Sequence, residues 1–166
     1  MARGVGAPTT ATSVRLASLD DLAAIEAIET IVFDSDRLSR RSLRYYLKSR
    51  TALLLVVGVN DRVSGYSLVA FRKDSQRARL YSIALDPAEQ RRGLGRLLLG
   101  ASERAAMARG AIAMRLEVRV DNARAIELYE KSGYRGFAVV EDYYEDGAAA
   151  LRFEKEFALP SDREAL

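Results

Sequence analysis

The chain has 166 residues and carries 26 lysines and arginines against 23 aspartates and glutamates, with no histidine and no cysteine. Its length fits one domain, and the absence of cysteine excludes disulfides and a thiolate nucleophile. The absence of histidine removes the commonest general base and the commonest transition-metal ligand, so proton transfer must use Glu, Asp, Lys, Tyr or water.

Apolar residues recur with the period of a strand or of a helix along most of the chain, which predicts a succession of both. In chain order the predicted elements are a strand at 14–16, helices starting near Ser18 and Ser39 on either side of a loop at 33–38, strands at 52–59, 63–72 and 79–85, a helix at 93–109, a strand at 112–120, a helix at 122–132, and strands at 134–140 and 149–157. Strands joined first by a turn at 60–61 and later separated by helices predict an α/β fold, with helices packed on a mixed central sheet. This pattern forms one domain at 13–157, and we expect residues 1–12 and 158–166 to be flexible tails.

The segment 90–96 places two glycines and three arginines where a helix is predicted to start. Backbone N–H groups at a helix start are unpaired and the helix dipole is positive there, which suits a phosphate. The missing Cβ atoms of Gly93 and Gly95 would let a diphosphate approach the main chain closely. The segment lacks the Gly-Lys-Ser/Thr of a Walker loop and the three glycines of a dinucleotide fingerprint. We interpret it as a phosphate-binding loop, with an ordinary helix start as the alternative.

Three segments resemble the GCN5-related N-acetyltransferases (GNAT) in their residues, order and spacing. They are Ser-Ile-Ala-Leu-Asp-Pro at 82–87, the loop at 90–96, and the run at 116–134 that ends in Ala-Ile-Glu-Leu-Tyr-Glu-Lys-Ser-Gly-Tyr. Within this superfamily the chain is most similar to the ribosomal-protein alanine N-acetyltransferases, the RimI group, and the likeness is strongest over residues 80–144. The resemblance implies the GNAT fold, in which a mostly antiparallel sheet is splayed at one edge to admit CoA and carries helices on both faces.

The resemblance also implies the reaction and the cofactor site. Acetyl-CoA is the expected co-substrate, and its acetyl group would pass directly to an amine in a ternary complex. The composition agrees, because the chain offers neither Cys nor a Ser-His pair for an acyl-enzyme route. The main chain of three strand residues would pair with the pantetheine amides, as an added strand does, while their side chains also serve the core. The implied cofactor-binding residues are Ile83, Ala84, Leu85, Arg91, Arg92, Gly93, Leu94, Gly95, Arg96 and Asn122.

Two residues are implied to carry the chemistry. Tyr129 would be the general acid that protonates the departing thiolate, and it lies two helical turns after Asn122, so both share one helix face. Glu117 matches the position of the general base in the RimI group. Strand alternation puts Glu117 on one face with Arg115 and Arg119, so the alternative is an ordinary charge ladder whose arginines weaken the carboxylate as a base. The alternatives for Tyr129 and Asn122 are a core residue and an N-cap.

The acceptor side carries a weaker signal. Phe33 matches the RimI group, but the proline and tryptophan that often follow it are missing. Tyr143 and Tyr144 resemble a loop that contacts the backbone of a peptide N-terminus in such enzymes, with an exposed turn as the alternative. We therefore expect a peptide or protein α-amine as acceptor, and the alternatives are a small-molecule amine or a CoA-binding module without turnover.

The distribution of charge and apolar residues bears on location and other partners. Basic residues mostly alternate with acidic ones, which is typical of a solvated surface and not of a nucleic-acid-binding face. The longest unbroken apolar run covers residues 52–57, whereas a membrane-spanning helix needs roughly 20 residues, and residues 1–12 lack the apolar core of a signal peptide. We expect a cytoplasmic protein with no metal and no nucleic-acid or membrane partner; the sequence does not predict the oligomeric state.

Overall fold

The computed structural model describes residues 11–158, except for the side chains of Arg91 and Arg92. Residues 1–10 and 159–166, most of the two predicted tails, lie outside this described part. The strands are β1 Thr12–Leu16, β2 Ala52–Val59, β3 Arg62–Ala70, β4 Arg77–Leu85, β5 Ala113–Arg119, β6 Arg135–Val140 and β7 Ala150–Glu156. The helices are α1 Leu22–Val32, α2 Arg40–Lys48, α3 Leu94–Ala108 and α4 Ala123–Lys131, with 3-10 turns at Leu19–Asp21 and Pro87–Arg92. Within residues 11–158, no helix combines the length and the apolar character needed to cross a membrane.

The seven strands form one sheet in the order β1-β2-β3-β4-β5-β7-β6. Neighbouring strands run antiparallel except for β4 and β5, which run parallel. These two strands pair at residues 77–79 and 113–115, although they continue to Leu85 and Arg119. The two strands therefore diverge beyond these three residue pairs. The prediction of a mostly antiparallel sheet with a splayed edge is confirmed.

Helices cover both faces of the sheet, because successive side chains of a strand point to opposite sides. In β3, Tyr66 and Leu68 pack in one core cluster with Ile25 of α1 and Leu43 of α2. Val69, which faces the other way, packs in a second cluster with residues of α3 and α4. Strands β2 and β3 are thus mostly buried on both faces, which explains the continuous apolar run of β2, and the predicted α/β layering is confirmed.

The start of α3 differs from the prediction that the segment 90–96 opens the helix directly. A 3-10 turn at Pro87–Arg92 comes first. Asp86 caps this turn, because its Oδ1 accepts a hydrogen bond from the N–H of Ala88 at 3.0 Å, and proline fits the first position because no N–H is needed there. Gly93 then adopts φ 70°, a left-handed conformation that favours glycine, and α3 begins one residue later.

Candidate active site

A cavity of about 1050 Å³ opens where β4 and β5 diverge. Its lining residues form two groups. The first comprises the end of β4 and the start of α3 and α4; the second, which we call the acceptor half, comprises the loop between α1 and α2 and residues of β5 and the β6–β7 loop. Cavities of this size commonly hold cofactors or substrates. Among residues 11–158, no three acidic side chains converge closely enough to hold a metal ion.

The end of β4 provides an edge of free main chain along one wall of the cavity. Ile83, Ala84 and Leu85 pair with β3 on one side and lie beyond the last residue that pairs with β5 on the other. All three line the cavity. The side chains of Ile83 and Leu85 also pack in the core below α3, so the core role and the cavity role coexist, as expected for residues that present their backbone.

The start of α3 forms the second wall. The N–H groups of its first residues have no intrahelical acceptor, and Gly93, Gly95 and Arg96 line the cavity. A Cβ on Gly95 would lie 3.3 Å from Leu85 Cδ1, which is tighter than ordinary packing. Leu94, a predicted cofactor ligand, is buried in the core and is not among the residues that line the cavity. Because Gly95 has no side chain, the N–H groups in this wall remain accessible from the cavity.

Positive charge near this wall comes from more residues than the sequence indicated. Arg124 and Lys131 of α4 line the same half of the cavity as Arg96. Arg124 also donates a hydrogen bond to the side chain of Gln90, and Arg96 donates one to the main-chain oxygen of Lys131 at 3.5 Å. The side chains of the predicted cofactor ligands Arg91 and Arg92 lie outside the described part of the structure. Cations from two helices thus face the start of α3.

Asn122 and Tyr129 lie on one face of α4, and both line the cavity. The Oδ1 atom of Asn122 accepts a hydrogen bond from the N–H of Ala125 at 3.2 Å, so this residue is also the N-cap of α4. The Tyr129 ring is buried and packs at centroid distances of 5.7 Å from Tyr134 and 6.3 Å from Phe153. Asn122 is therefore both an N-cap and a lining residue, and Tyr129 is both a core residue and a lining residue.

The Tyr129 hydroxyl has no hydrogen-bond partner within residues 11–158. Burial raises the pKa of Tyr129, and the neighbouring Tyr144 adds to this shift. The phenol therefore stays protonated throughout the neutral range, with its proton free for a ligand in the cavity.

Glu117 lies in the cavity wall between two arginines, but they are not the predicted ones. Its Oε2 lies 3.1 Å from Arg79 of β4 and its Oε1 lies 3.5 Å from Arg152 of β7. Arg115 pairs instead with Glu154, and Arg119 with Asp146 and Asp121. The expectation that Arg115 and Arg119 flank the carboxylate was wrong, because Arg152 lies directly opposite Glu117 on β7 and Arg79, whose partner on β5 is Arg115, reaches Glu117 diagonally across the sheet. The two guanidinium groups compete with any incoming amine for the carboxylate oxygens.

The acceptor half of the cavity is bounded by two loops that touch each other. Phe33 and Tyr144, the two predicted substrate contacts on these loops, line the cavity. Tyr143 is not among the lining residues: its hydroxyl accepts a hydrogen bond from Arg79 at 3.0 Å, and its ring packs edge-on against Tyr144 at 4.9 Å. Tyr143 therefore contacts the lining residue Tyr144 without lining the cavity itself. Burial raises the pKa of Tyr144 to about 12.

Sequence reasoning missed a buried carboxylate beneath the acceptor half. Glu29 of α1 is 2% exposed and lines the cavity. Its Oε2 accepts a hydrogen bond from the N–H of Leu38 at 2.9 Å, and its Oε1 accepts one from the Tyr66 hydroxyl. The same hydroxyl lies 2.9 Å from Ser82 Oγ of β4. This network ties the loop between α1 and α2 to the sheet, and its sequence signal was an acidic residue on the apolar stripe of α1.

We expect Glu29→Ala to destabilise the protein by about 1 to 3 kcal/mol, because the N–H of Leu38 and the Tyr66 hydroxyl lose their buried acceptor. Chemical denaturation measures this. Glu26→Ala is the control on the same helix, since Glu26 makes a partly exposed ion pair with Arg40 and its loss should change stability little. Equal stability of the two variants would contradict the role of the network.

The pKa of Glu29 adds a pH signature to this prediction. Burial raises it above the ordinary value of 4.5, so the folded state binds the proton more tightly than the unfolded state does. The stability of the parent relative to Glu29→Gln should therefore fall as pH rises from the unfolded value through the raised folded value, and level off above it. A difference that does not change with pH would contradict the burial of an ionisable group at this position.

The chain belongs to the acetyltransferase (GNAT) family, which it matches over residues 19–134. It is 39% identical over 92 residues to the [ribosomal protein bS18]-alanine N-acetyltransferase of Salmonella typhimurium, an alignment that covers 55% of this chain and 61% of that protein. It is 36% identical over 106 residues to the N-alpha-acetyltransferase RimI of Mycobacterium tuberculosis, covering 59% of this chain and 65% of that protein. The aligned part thus spans somewhat less than two thirds of these relatives.

The fold extends the likeness further than the sequence does. The crystal structure of the ribosomal-protein-S18-alanine N-acetyltransferase from Escherichia coli matches with a TM-score of 0.79 and 26% identity, over 92% of this chain and 98% of that one. The predicted resemblance to the GNAT superfamily and its RimI group is therefore confirmed.

Proposed function

We propose that this protein transfers an acetyl group from acetyl-CoA directly to the α-amino group of a peptide or protein N-terminus. The observation that carries this proposal is the cavity between β4 and β5, where a wall suited to a diphosphate and a wall of acidic and tyrosine side chains face each other. Acetyl-CoA supplies a thioester, and a free amine supplies the nucleophile. A cytoplasmic location remains a prediction from composition.

The residues of the first wall fit a CoA-like group by their geometry. The open edge of β4 at 83–85 offers N–H and C=O groups that match the peptide-like amides of pantetheine. The low wall at Gly95 and the free N–H groups of α3 suit the diphosphate, and Arg96 adds charge. Asn122 lies on the face of α4 that leads from this loop to Tyr129.

On the second wall, Glu117 is the residue that would receive the proton of the attacking amine. Because Arg79 and Arg152 already contact its oxygens, we propose that the proton passes through a water molecule and not by direct contact. The two arginines also hold the carboxylate in one orientation against the cavity. This arrangement favours an amine that loses its proton easily.

Tyr129 would act on the departing sulfur. A thiol has a reference pKa near 8.5 and a phenol near 10, and burial raises the pKa of Tyr129 further. Complete transfer of the phenolic proton to a thiolate is therefore uphill, so Tyr129 contributes mainly a hydrogen bond to the sulfur as its charge develops. The proton released by the amine balances the one that the thiolate finally takes up.

The choice of an α-amine follows from the cost of deprotonation. An α-amino group has a reference pKa of about 7.7 to 8.0 against about 10.4 for lysine, so neutral lysine near pH 7 costs about 3.5 kcal/mol more. A base that two arginines already occupy can serve the first amine far more easily than the second. Tyr144 and Phe33 beside the cavity offer contacts for an extended N-terminus.

The test compares two peptides that are otherwise identical in sequence. One has a free N-terminal alanine and no lysine; the other is N-blocked and has one internal lysine. We expect kcat/KM to be at least about 100-fold higher for the free α-amine, in line with the difference in pKa. Faster acetylation of the blocked lysine peptide would contradict the proposal. Activity toward neither peptide, but toward a small-molecule amine, would favour that alternative acceptor.

A further inference from the structure

The exposed face of α2 is rich in positively charged side chains. Helix α2 has the sequence RRSLRYYLK and contains no acidic residue. Arg41, Arg44, Tyr45 and Lys48 are all exposed, and their spacing places them on one side of the helix. We call these four residues the α2 face.

Among the residues that the structure describes, the cations of the α2 face have no ion-pair partner. Arg40, at the start of the helix, pairs with Glu26 at 3.4 Å. Arg41, Arg44 and Lys48 make no ion pair or side-chain hydrogen bond within residues 11–158. Surface cations are more often balanced by neighbouring acids on a helix, so three free cations around one exposed tyrosine define a surface that favours an anionic partner.

A row of tyrosine rings connects the α2 face to the cavity. The Tyr45 ring, which is 66% exposed, packs edge-on against Tyr46 at 5.4 Å. Tyr46 in turn lies 6.0 Å from Tyr81 of β4, and Tyr81 lines the cavity. Arg79 lies over the Tyr81 ring at 5.4 Å. Tyrosine and arginine are enriched in protein-binding surfaces, so these contacting side chains are typical of one.

The length of this row fits a polypeptide that leaves the cavity. An extended chain advances about 3.3 to 3.6 Å per residue, so about three or four residues would cover the distance from Tyr81 to Tyr45. The row begins at Tyr81 in the cavity wall, and Arg79, which lies over the Tyr81 ring, contacts the proposed base Glu117. The amine of the acceptor would be bound near this carboxylate. A polypeptide acceptor whose amine is bound in the cavity would therefore continue along the tyrosine row.

We propose that the α2 face binds an acidic segment of the acceptor polypeptide, a few residues beyond the acetylated amine. This inference rests on the proposed function, because it takes the acceptor to be a polypeptide. It adds the class of substrate: a protein whose N-terminal region is acidic after its first residues. The tyrosine row would carry the intervening residues and the cations would select the charge.

The first experiment uses three free-amine decapeptides that share the first three residues and differ at positions four to nine, which carry Asp, Asn or Lys. We expect kcat/KM for the Asp peptide to exceed that for the Asn peptide by about fivefold or more, mainly through KM, with the Lys peptide lowest. The preference should shrink in high salt, because exposed charges are screened. Equal values for the three peptides would overturn the inference and leave the proposed function intact.

The second experiment locates the preference. The double variant Arg44→Glu, Lys48→Glu should reverse the order of the Asp and Lys peptides, whereas Arg104→Glu should leave it unchanged. Arg104 is the matched control because it is exposed and unpaired within the described residues but lies on α3, on the opposite side of the sheet. A reversal caused equally by both variants would show a general charge effect and overturn the inference.

The third experiment measures binding without turnover. A labelled N-blocked Asp peptide should bind the parent and lose at least about tenfold in affinity with the double variant, as expected for several lost charge contacts. If no free-amine peptide accepts acetyl, the proposed function fails, and this binding measurement still decides the inference. Charge-reversal-sensitive binding of a single-stranded RNA, with no discrimination among the peptides, would assign the α2 face to nucleic acid and overturn it.

Discussion

Gly95→Glu is expected to abolish the binding of acetyl-CoA while leaving the domain folded. Gly95 is the second residue of α3 and lines the cavity, so a carboxylate there would occupy the place of the diphosphate and repel it. The added Cβ would meet Leu85 Cδ1 at 3.3 Å and Leu128 Cδ2 at 3.5 Å. Both are ends of flexible side chains, which can shift without unfolding the core. Isothermal titration calorimetry measures the affinity and thermal denaturation the stability.

Two further substitutions separate the volume of the side chain from its charge. Gly95→Gln has nearly the size of glutamate without the charge, and Gly95→Ala adds a single methyl group. We expect binding to weaken in the order Ala, Gln, Glu, with melting temperatures close to the parent in all three. If Gly95→Glu bound acetyl-CoA as tightly as the parent, the assignment of the phosphate-binding wall would be wrong. Unfolding by all three variants would indicate packing and not ligand contact.

Tyr129→Phe should lower kcat by about 100-fold or more and change the affinity for acetyl-CoA little. The ring, which packs against Tyr134 and Phe153, is retained, and the hydroxyl has no partner within the described residues whose loss would destabilise the fold. The lost interaction is therefore the one with the sulfur in the transition state. Steady-state kinetics with a peptide acceptor, together with calorimetry, measures both quantities.

Tyr134→Phe is the matched control within the same aromatic cluster. The Tyr134 hydroxyl donates a hydrogen bond to Glu103 at 2.8 Å, and Tyr134 is not among the residues that line the cavity. Its removal should lower stability by about 1 to 2 kcal/mol, because Glu103 is buried and loses a donor, and leave kcat nearly unchanged. Full activity of Tyr129→Phe would remove this hydroxyl from the mechanism. Equal loss of activity in both variants would point to packing of the cluster.

Elements that depend on local signals agree with the sequence. Asn122 predicted the start of α4 because its side chain caps the helix. The predicted helices at 93–109 and 122–132 stop just before Gly110 and Gly133, both of which have positive φ in the structure. The 3-10 turn at Pro87–Arg92 was missed, since the glycines and arginines after it also suit a helix start. Short turns with proline at the first position carry little periodic signal.

Features that depend on strand register were less accessible. Glu117 was placed correctly on β5, but its contacts come from β4 and β7, and the sequence does not give the register that sets Arg152 directly opposite it. Tyr143, which was expected to contact the substrate, accepts a hydrogen bond from Arg79 of β4, a contact that depends on how the sheet is assembled. Glu29 became recognisable as a site residue once the fold placed Leu38 and Tyr66 beside it.

The most direct test of the central claim is mass spectrometry of a free-amine, alanine-initiated peptide incubated with the protein and acetyl-CoA. We predict an increase of one acetyl group on the N-terminal nitrogen, located by fragmentation, with one CoA thiol released per peptide modified. The reaction should stop with Tyr129→Phe on the same time scale and should not occur without the protein. Binding of acetyl-CoA without transfer to this peptide or to any member of a panel of small amines would contradict the account.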